Sequence, residues 1–317
     1  MLTLADFPPW FFRVFGPVMG LLWGSFLNVV IYRVPKGMSV VRPASHCPGC
    51  GAPVKAYDNV PVLGYLWLRG KARCCGAKLS PRYPLIEAMI GLLAWAIVEV
   101  VIFRMPPDSS LGRVLAVFTA DLALVLGLVA AAFIDLDHFY IPEAVPIGGT
   151  ILGVATTGFR PPLSLKEAAI GALVGFLIVW LPFDVLYRLV RKRTGMALGD
   201  AMLVMLAGAW FGIQGALFAL LAGAMQGTLA AIVVYVFRGK LEDPEALARE
   251  REAVLAEIAA LPEDERKEAE AELDPILDEP GTGLQARIPF GPFLALATIE
   301  YLLVGQDLLA SLIGGGE

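Results

Sequence analysis

The sequence predicts an all-α, polytopic integral membrane protein of about eight transmembrane helices, with a small cytoplasmic zinc-ribbon-like loop domain and a cytoplasmic helical insert. Three observations lead there. Of 317 residues, 57% are apolar and only 17% charged, where soluble domains carry about a quarter charged residues. The apolar residues fall into runs near the ~20 residues that cross a bilayer core. Finally, Lys and Arg gather in alternate connections, the pattern that fixes membrane orientation.

The first run, 10–32, is expected to be a retained span. A cleaved signal peptide would have a basic region before it and a small-residue cleavage site after it; here Asp6 precedes the run and no such site follows. A cysteine-containing segment, 33–84, comes next. A transmembrane core over 85–238 contains runs at 85–104, 112–134, 144–160, 168–190, 199–212 and 213–237; an acidic insert occupies 239–287; and 288–317 holds a last run at 290–312. The fourth and sixth runs are short, and the sixth meets the seventh at Gly212, so a count of seven or a tightly turned pair stays open. Gly20 with Gly24, Gly171 with Gly175, and Gly223 with Gly227 have the spacing that lets helix backbones approach in lipid, although glycine is also common in membrane helices.

Nine basic residues lie in 33–84 and four in 188–193, whereas the alternate connections hold only Arg104, Arg113, Arg160 and Lys166. Basic loops stay inside, so both termini are expected outside and the connections at 33–84, 135–143, 191–199 and 238–289 in the cytoplasm. The net charge of −5 fits poorly with basic loops until it is located: half of the 30 acidic residues fall in 239–287, against six of the 25 basic ones. In that insert Asp243-Pro244-Glu245 reads as a helix start, and Leu247, Val254, Ile258 and Leu261 can form one apolar stripe. A second start lies at Pro262-Glu263-Asp264. The insert is either a solvated linker or a helical hairpin whose acidic face attracts a basic partner, an effect that salt screens.

Ionisable groups at membrane depth read as functional by default. Two carboxylate sites fall at the cytoplasmic ends of spans: Asp135 in Ile134-Asp135-Leu136-Asp137-His138, followed by Ile141-Pro142-Glu143, and Asp200 after Gly199. Both belong on one membrane face. Two carboxyl groups brought together cannot easily both ionise, so one keeps a proton while the other activates water, the chemistry of aspartic proteases. The plainer reading makes them markers of the water interface. Asp121 and Asp184 read as hydrogen-bonding or interfacial groups. With only His46 and His138 as bases, Ser/His or Cys/His systems have few options.

All four cysteines lie in 33–84. Cys47-Pro48-Gly49-Cys50 followed by Cys74-Cys75 resembles a zinc ribbon, against the alternative of reduced thiols in a metal-free loop. Adjacent cysteines are an irregular second pair, so Cys50 and Cys75 are expected to be firmer ligands than Cys74, and His46 is an alternative fourth ligand.

Taken together, these segments resemble the type IV prepilin peptidases, bifunctional leader peptidases and N-methyltransferases of pilus and type II secretion systems. The resemblance runs from Gly24-Ser25-Phe26-Leu27-Asn28-Val29-Val30-Ile31-Tyr32-Arg33 through Asp58-Asn59-Val60-Pro61-Val62-Leu63-Gly64-Tyr65 and Ser80-Pro81-Arg82-Tyr83-Pro84-Leu85-Ile86-Glu87. It resumes at Ile134-Asp135 with Ile141-Pro142, at Gly199-Asp200 and at Pro289-Phe290-Gly291-Pro292-Phe293-Leu294. It covers most of the chain outside 239–286.

The resemblance implies a multi-pass enzyme of the bacterial inner membrane with its active site facing the cytoplasm, and a catalytic pair, Asp135 and Asp200. Its substrates would be prepilins or pseudopilins with a basic leader and an apolar N-terminal helix embedded in lipid, cut before the mature N-terminal residue, which is usually Phe. The new amine would be methylated from S-adenosylmethionine. No nucleic acid is implied. Asp135 is preferred to Asp137, which points to another side of a continuing helix. The donor site has no Rossmann-type signature here, so its residues are unassigned.

Three positions depart from the family pattern: Ala197 replaces the first glycine of Gly-x-Gly-Asp, Met202 replaces a lysine, and Ala72 replaces a cysteine of the second Cys-x-x-Cys. The altered aspartate motif leaves room for a rival reading, a non-catalytic assembly or adaptor protein of a pilus or secretion system that docks through its zinc loop, while Ala72 bears on zinc binding and on the methyl transfer that the resemblance links to this loop. A preflagellin peptidase of the archaeal type is disfavoured by the long cysteine loop and the Pro-Phe-Gly-Pro-Phe motif.

Overall fold

A computed structural model describes residues 2–160, 162–186, 198–238, 245–263, 266 and 288–305. Every extended element among them is a helix. The chain divides into two compact units: Met1–Ala130 with Ala155–Pro162 and Ile299–Glu317, and Ala131–Val154 with Leu163–Thr298. Five helices are long and apolar enough to cross a membrane: Pro9–Lys36, Arg82–Arg104, Leu111–His138, Leu165–Leu186 and Leu198–Phe237. The apolar helices Ala144–Ala155 and Gly291–Gly305 are shorter. Large side chains such as Trp10, Leu92, Leu173, Leu221 and Met225 are exposed along these helices, as lipid-facing surfaces require.

In the first unit, α1 (Pro9–Arg33) starts with a proline in its first turn, where a missing N–H costs nothing. After a short α2 (Leu63–Trp67) comes α3 (Arg82–Val100), which packs against α1. Glycine sets how close they come. A Cβ on Gly20 would lie 2.6 Å from both the Ala94 Cβ and the Ile90 carbonyl oxygen, and one on Gly24 would lie 3.0 Å from the Glu87 Cα. At one end of this contact Arg13 Nε lies 2.6 Å from Glu99 Oε1. Between α1 and α3 the segment 37–81 carries little regular structure of its own. It contains α2 and two tight knuckles, each marked by one isolated bridge, His46 to Pro53 and Lys71 to Lys78. The expected zinc-ribbon-like domain thus has no strand among the described residues.

Helix α4 (Leu111–His138) belongs to the first unit as far as Ala130. In the second unit, α5 (Ala144–Ala155) is followed by α6 (Leu165–Trp180), which begins with a reciprocal cap: the Ser164 Oγ accepts from the Glu167 N–H while the Glu167 carboxylate accepts from the Ser164 N–H. A π-helical turn, Leu181–Leu186, extends α6. The sixth and seventh apolar runs form α7 (Leu198–Arg238), two helical halves that turn sharply on each other at Gly212, whose φ of 70° and ψ of −167° are a glycine conformation; the Val204 oxygen and the Ala216 Cβ both lie within 3.2 Å of the Cβ position on Gly175, as a tightly turned pair requires. Helices α6 and α7 make the closest backbone contact of this unit. A Cβ on Gly171 would collide with the Gly208 carbonyl, and one on Gly175 would lie 2.5 Å from the Val204 oxygen. Buried Trp210 lies across Gly153 and donates its indole N–H to the Gly149 carbonyl at 2.8 Å.

The acidic insert is described only in part. A helix α8 (Glu245–Ala259) is present, as the Asp243-Pro244-Glu245 start predicts; most of the expected second helix lies outside the described residues. The last apolar run gives α9 (Gly291–Glu300), whose Leu294 and Phe293 rest against Gly223 and Gly227 of α7.

All three glycine pairs therefore sit at close contacts. Replacing Gly171 by Leu should lower the melting temperature of the purified protein, at a cost on the order of 1–3 kcal/mol for overpacking. Gly148→Leu, with nothing within 4 Å of its Cβ position, should leave it unchanged. Coincident melting curves for the two variants would refute this role of the glycine contact.

Candidate functional site

Asp135 stands in the last turn of α4. That helix closes on Phe139, whose N–H donates to the Asp135 carbonyl at 2.9 Å and whose φ of 57° is the left-handed region, a costly place for a bulky side chain. The turn sends the chain into Ile141-Pro142 and then α5. Asp200 stands in the first turn of α7, directly after Gly199. Both aspartates are buried, at 5% and 7% relative exposure, whereas Asp137 is half-buried and His138 is exposed. Of the Asp-x-Asp pair, the first is the one that leaves solvent.

Three distant segments meet at Asp135. The Gly291 N–H, at the start of α9, donates to the Asp135 Oδ2 at 3.0 Å. A Cβ on Gly291 would lie 2.7 Å from that oxygen and 2.9 Å from the Ile141 Cδ1. A Cβ on Gly199 would lie 3.0 Å from the Ile141 Cβ. Ile141 therefore wedges between the glycines that flank the two carboxyl groups, and Asp135 and Asp200 are close enough to act on each other electrostatically. Two neighbouring carboxyl groups with little water around them suit the sharing of one proton. The sequence offered Gly291 as part of a motif without a role; its role is to bring a backbone donor to the carboxylate. Met202 is half-buried one turn into α7, and Ala197 lies outside the described residues.

Two further aspartates in spans, Asp121 and Asp184, are also buried. Asp121 is 1% exposed, senses the charge of Arg160, and has an Oδ1 without a hydrogen-bond partner among the described residues. Asp184 is buried in the π-helical turn after α6.

In the first unit, one ligand atom from each of Cys47, Cys50, Cys74 and Cys75 lies within 4.8 Å of all the others. Cys47 Sγ is 3.6 Å from Cys75 Sγ, and Cys50 Sγ is 3.3 Å from Cys74 Sγ, spacings that suit four thiolates around one tetrahedral ion. The knuckles show how an irregular sequence achieves this. In the first, Cys47 N–H donates to Ala52 and Gly51 N–H to Cys47; in the second, Ala72 N–H donates to Ala77 and Gly76 N–H to Ala72. Both Gly51 and Gly76 have φ of 72°. Ala72 therefore holds the position that Cys47 holds in its partner knuckle, and Cys74, expected to be the weakest ligand, supplies the missing sulfur. His46 is outside the cluster. The Gly49 and Cys50 backbone N–H groups aimed at its sulfur bring the Cys47 thiol down to about 6, while hydrogen bonding to Cys50 pushes the Cys74 thiol up to about 12. The backbone donors thus favour a thiolate at Cys47, and a bound cation would hold its ligand sulfurs as thiolates.

A cavity of about 950 Å³ adjoins the cysteines, lined entirely by residues between Leu22 and Glu87. Next to Val60 and Pro61 of its wall, Val62 forms a γ-turn, with φ of 60° and the Leu63 N–H donating to the Pro61 carbonyl at 2.6 Å. The Val62 N–H donates to Glu87 Oε2 at 2.7 Å. Asp58 and Arg73 form a bidentate pair there, with Arg73 Nη2 2.7 Å from Asp58 Oδ1, and the guanidinium holds the Asp58 carboxyl below its ordinary range. Nothing in the sequence announces this cavity, because its lining is drawn from α1, the cysteine-containing segment and the start of α3.

Comparison with known proteins places these features. Residues 18–101 match the Bacterial Peptidase A24 N-terminal domain, and residues 122–232 match the Type IV leader peptidase family. The chain is 33% identical to a prepilin leader peptidase/N-methyltransferase of Myxococcus xanthus, over 99% of both chains. Proteins of the same name from Pseudomonas putida (31% identical, over 98% of this chain and 96% of that one) and Neisseria gonorrhoeae (35%, over 70% and 82%) are also similar. No solved structure matches.

The cysteine geometry predicts one tightly held thiophilic divalent ion per chain, measurable by elemental analysis of the purified protein. Cys74→Ala should lower occupancy as much as Cys47→Ala does, and His46→Ala should leave it unchanged. Full occupancy in Cys74→Ala would reject the four-sulfur site.

Proposed function

The chain belongs to the type IV leader peptidase family, and on that premise we propose that it cleaves the leader from prepilins and N-methylates the new N-terminus, with Asp135 and Asp200 as the hydrolytic pair. The observation that carries the assignment is the convergence of both buried aspartates with the Gly291 N–H at the junction of three distant segments.

In this mechanism one carboxyl group keeps its proton and the other accepts a proton from water, which attacks the scissile carbonyl; the protonated member supplies the proton that the departing amine takes up. Gly291 holds one oxygen of Asp135 and leaves the other for the water and the peptide. Ile141, wedged against both flanking glycines, limits how far the carboxyl groups can separate. Burial is part of the chemistry, since a dry pair interacts more strongly than a solvated one.

We place eight spans across the bacterial inner membrane, the break at Gly212 dividing α7 into two, with both termini outside and the aspartates at the cytoplasmic face. The 33–84 segment, α8 and the remainder of 239–287 then lie in the cytoplasm, where a basic prepilin leader meets an acidic insert. The apolar helix of the substrate stays in lipid. The four cysteines are assigned to zinc, whose preference for tetrahedral thiolates matches the set; when bound it supplies a structural cross-link. S-adenosylmethionine supplies the methyl group as co-substrate.

Incubating the purified protein with a prepilin and reading the product by mass spectrometry tests the assignment: loss of the leader reports hydrolysis and a further methyl group reports transfer. Asp135→Asn and Asp200→Asn should each reduce cleavage about a hundredfold or more while the melting temperature is kept. Gly291→Val, which pushes a side chain into the Asp135 carboxylate, should also slow cleavage about a hundredfold by misplacing it. Wild-type rates in either asparagine variant would overturn the pair.

A further inference from the structure

The hydrolytic pair leaves methyl transfer without a site, and the first unit holds two buried ionisable side chains, Arg33 and Glu87, with no oppositely charged partner among the described residues. Arg33, at the end of α1, is 4% exposed and lines the cavity of about 950 Å³. Its Nη1 donates to the Ser39 carbonyl at 3.0 Å, and it has no carboxylate partner among the described residues. Glu87 of α3 is 8% exposed and lines the same cavity. One of its oxygens accepts from the Val62 N–H, and no cation lies within ion-pair distance among the described residues.

An unpaired buried charge is costly, and here there are two of opposite sign that do not pair with each other. The contrast is Asp58 with Arg73 on the same wall, which close on each other through three bonds. The cost at Arg33 and Glu87 is offset when a ligand brings a negative group to one and a positive group to the other. A simple anion would be repelled by Glu87 and a simple cation by Arg33. The matching chemistry is the zwitterionic end of an amino acid. Val62 reinforces the point: a valine is held in a strained γ-turn, and the result is a backbone N–H fixed on Glu87.

We propose that Arg33 and Glu87 form the amino-acid-binding end of the S-adenosylmethionine site, with the donor's carboxylate on Arg33, its ammonium and sulfonium charges facing Glu87, and its adenosyl group among the tyrosines of the cavity, Tyr65 and Tyr83. The assignment rests on the reading that the chain N-methylates. The volume exceeds what one such molecule fills, which leaves room for the peptide's N-terminus. Transfer forms a bond from the lone pair of the neutral amine to the methyl carbon as the carbon–sulfur bond breaks. Its electron pair passes to sulfur, and the proton that the amine had first to lose goes to water.

Equilibrium binding of S-adenosylhomocysteine and S-adenosylmethionine to the intact, detergent-solubilised protein tests the site without relying on turnover, with leader cleavage by the same preparations as the check on folding. Arg33→Gln and Glu87→Gln should each weaken binding of S-adenosylmethionine about tenfold or more, and Arg33→Lys should recover part of the loss. Arg13→Gln, at the far end of α1, should bind as wild type. Wild-type affinity in both cavity variants, or a leader-cleaving wild type that binds neither probe, would overturn the proposal. A wild type that binds both and cleaves no leader would instead sink the hydrolytic reading and leave this site standing. Where the variants lose cleavage and fold together, photolabelling of the wild type with radiolabelled S-adenosylmethionine decides: label within 22–87 supports the site, and label confined elsewhere rejects it.

Discussion

The second unit is organised around the cost of keeping two carboxyl groups side by side away from water. Alone, each would be stabilised by solvent; together and buried, they depend on whatever the protein places around them. Among the described residues the response is made of backbone rather than cationic side chains. A cation at the pair would favour two ionised carboxylates and remove the shared proton that the proposed hydrolysis uses. The Gly291 N–H fixes the position of Asp135 while carrying no net charge. The same reasoning accounts for glycine at 199 and 291, since a Cβ at either would press on Ile141, and at 291 on the carboxylate itself.

This arrangement requires the helices that carry it to be held at short range, and in lipid there is little hydrophobic force to pull helices together. Contact area at backbone distance replaces it. Gly171 and Gly175 bring α6 onto α7, Gly223 and Gly227 receive α9, and the same device, at Gly20 and Gly24, joins α1 to α3 in the first unit. A helix with a large side chain at any of these points would stand off by more than an ångström, which is the tolerance that acid–base catalysis lacks.

Much of this was legible in the sequence, because membrane insertion writes long apolar runs and charge-sorted loops that local reading detects. The aspartates were legible because an ionisable residue at a span terminus violates that pattern. What local reading could not settle were matters of three-dimensional register. It left open whether the runs on either side of Gly212 form one span or a tightly turned pair, which the non-helical backbone at Gly212 and the approach of both halves to Gly175 decide for the turned pair. It ranked Cys74 as the weakest ligand, since spacing along the chain says nothing about a knuckle whose Ala72 keeps the backbone while a neighbouring side chain takes over the sulfur. Arg33 read as a topology signal and Glu87 as a motif letter. Their relation exists only across a cavity.

That cavity also explains why a segment with so little regular structure needs a cross-link. Between Gly37 and Pro81 the chain has one five-residue helix and no strand among the described residues, too little apolar contact to hold a shape by burial alone. Yet it forms most of the wall around Arg33 and Glu87, and Cys47 and Cys74 are themselves part of that wall. With the proposed zinc bound, the four sulfurs would tie the two knuckles together at the point where a core would otherwise be needed. The strained turn at Val62 is set against this frame, and its N–H can stay on Glu87 only while the frame is rigid. On the proposed zinc and methyl-donor sites, the cysteines would thus act on chemistry they do not touch: they would fix the loop, the loop Val62, and Val62 the Glu87 carboxylate.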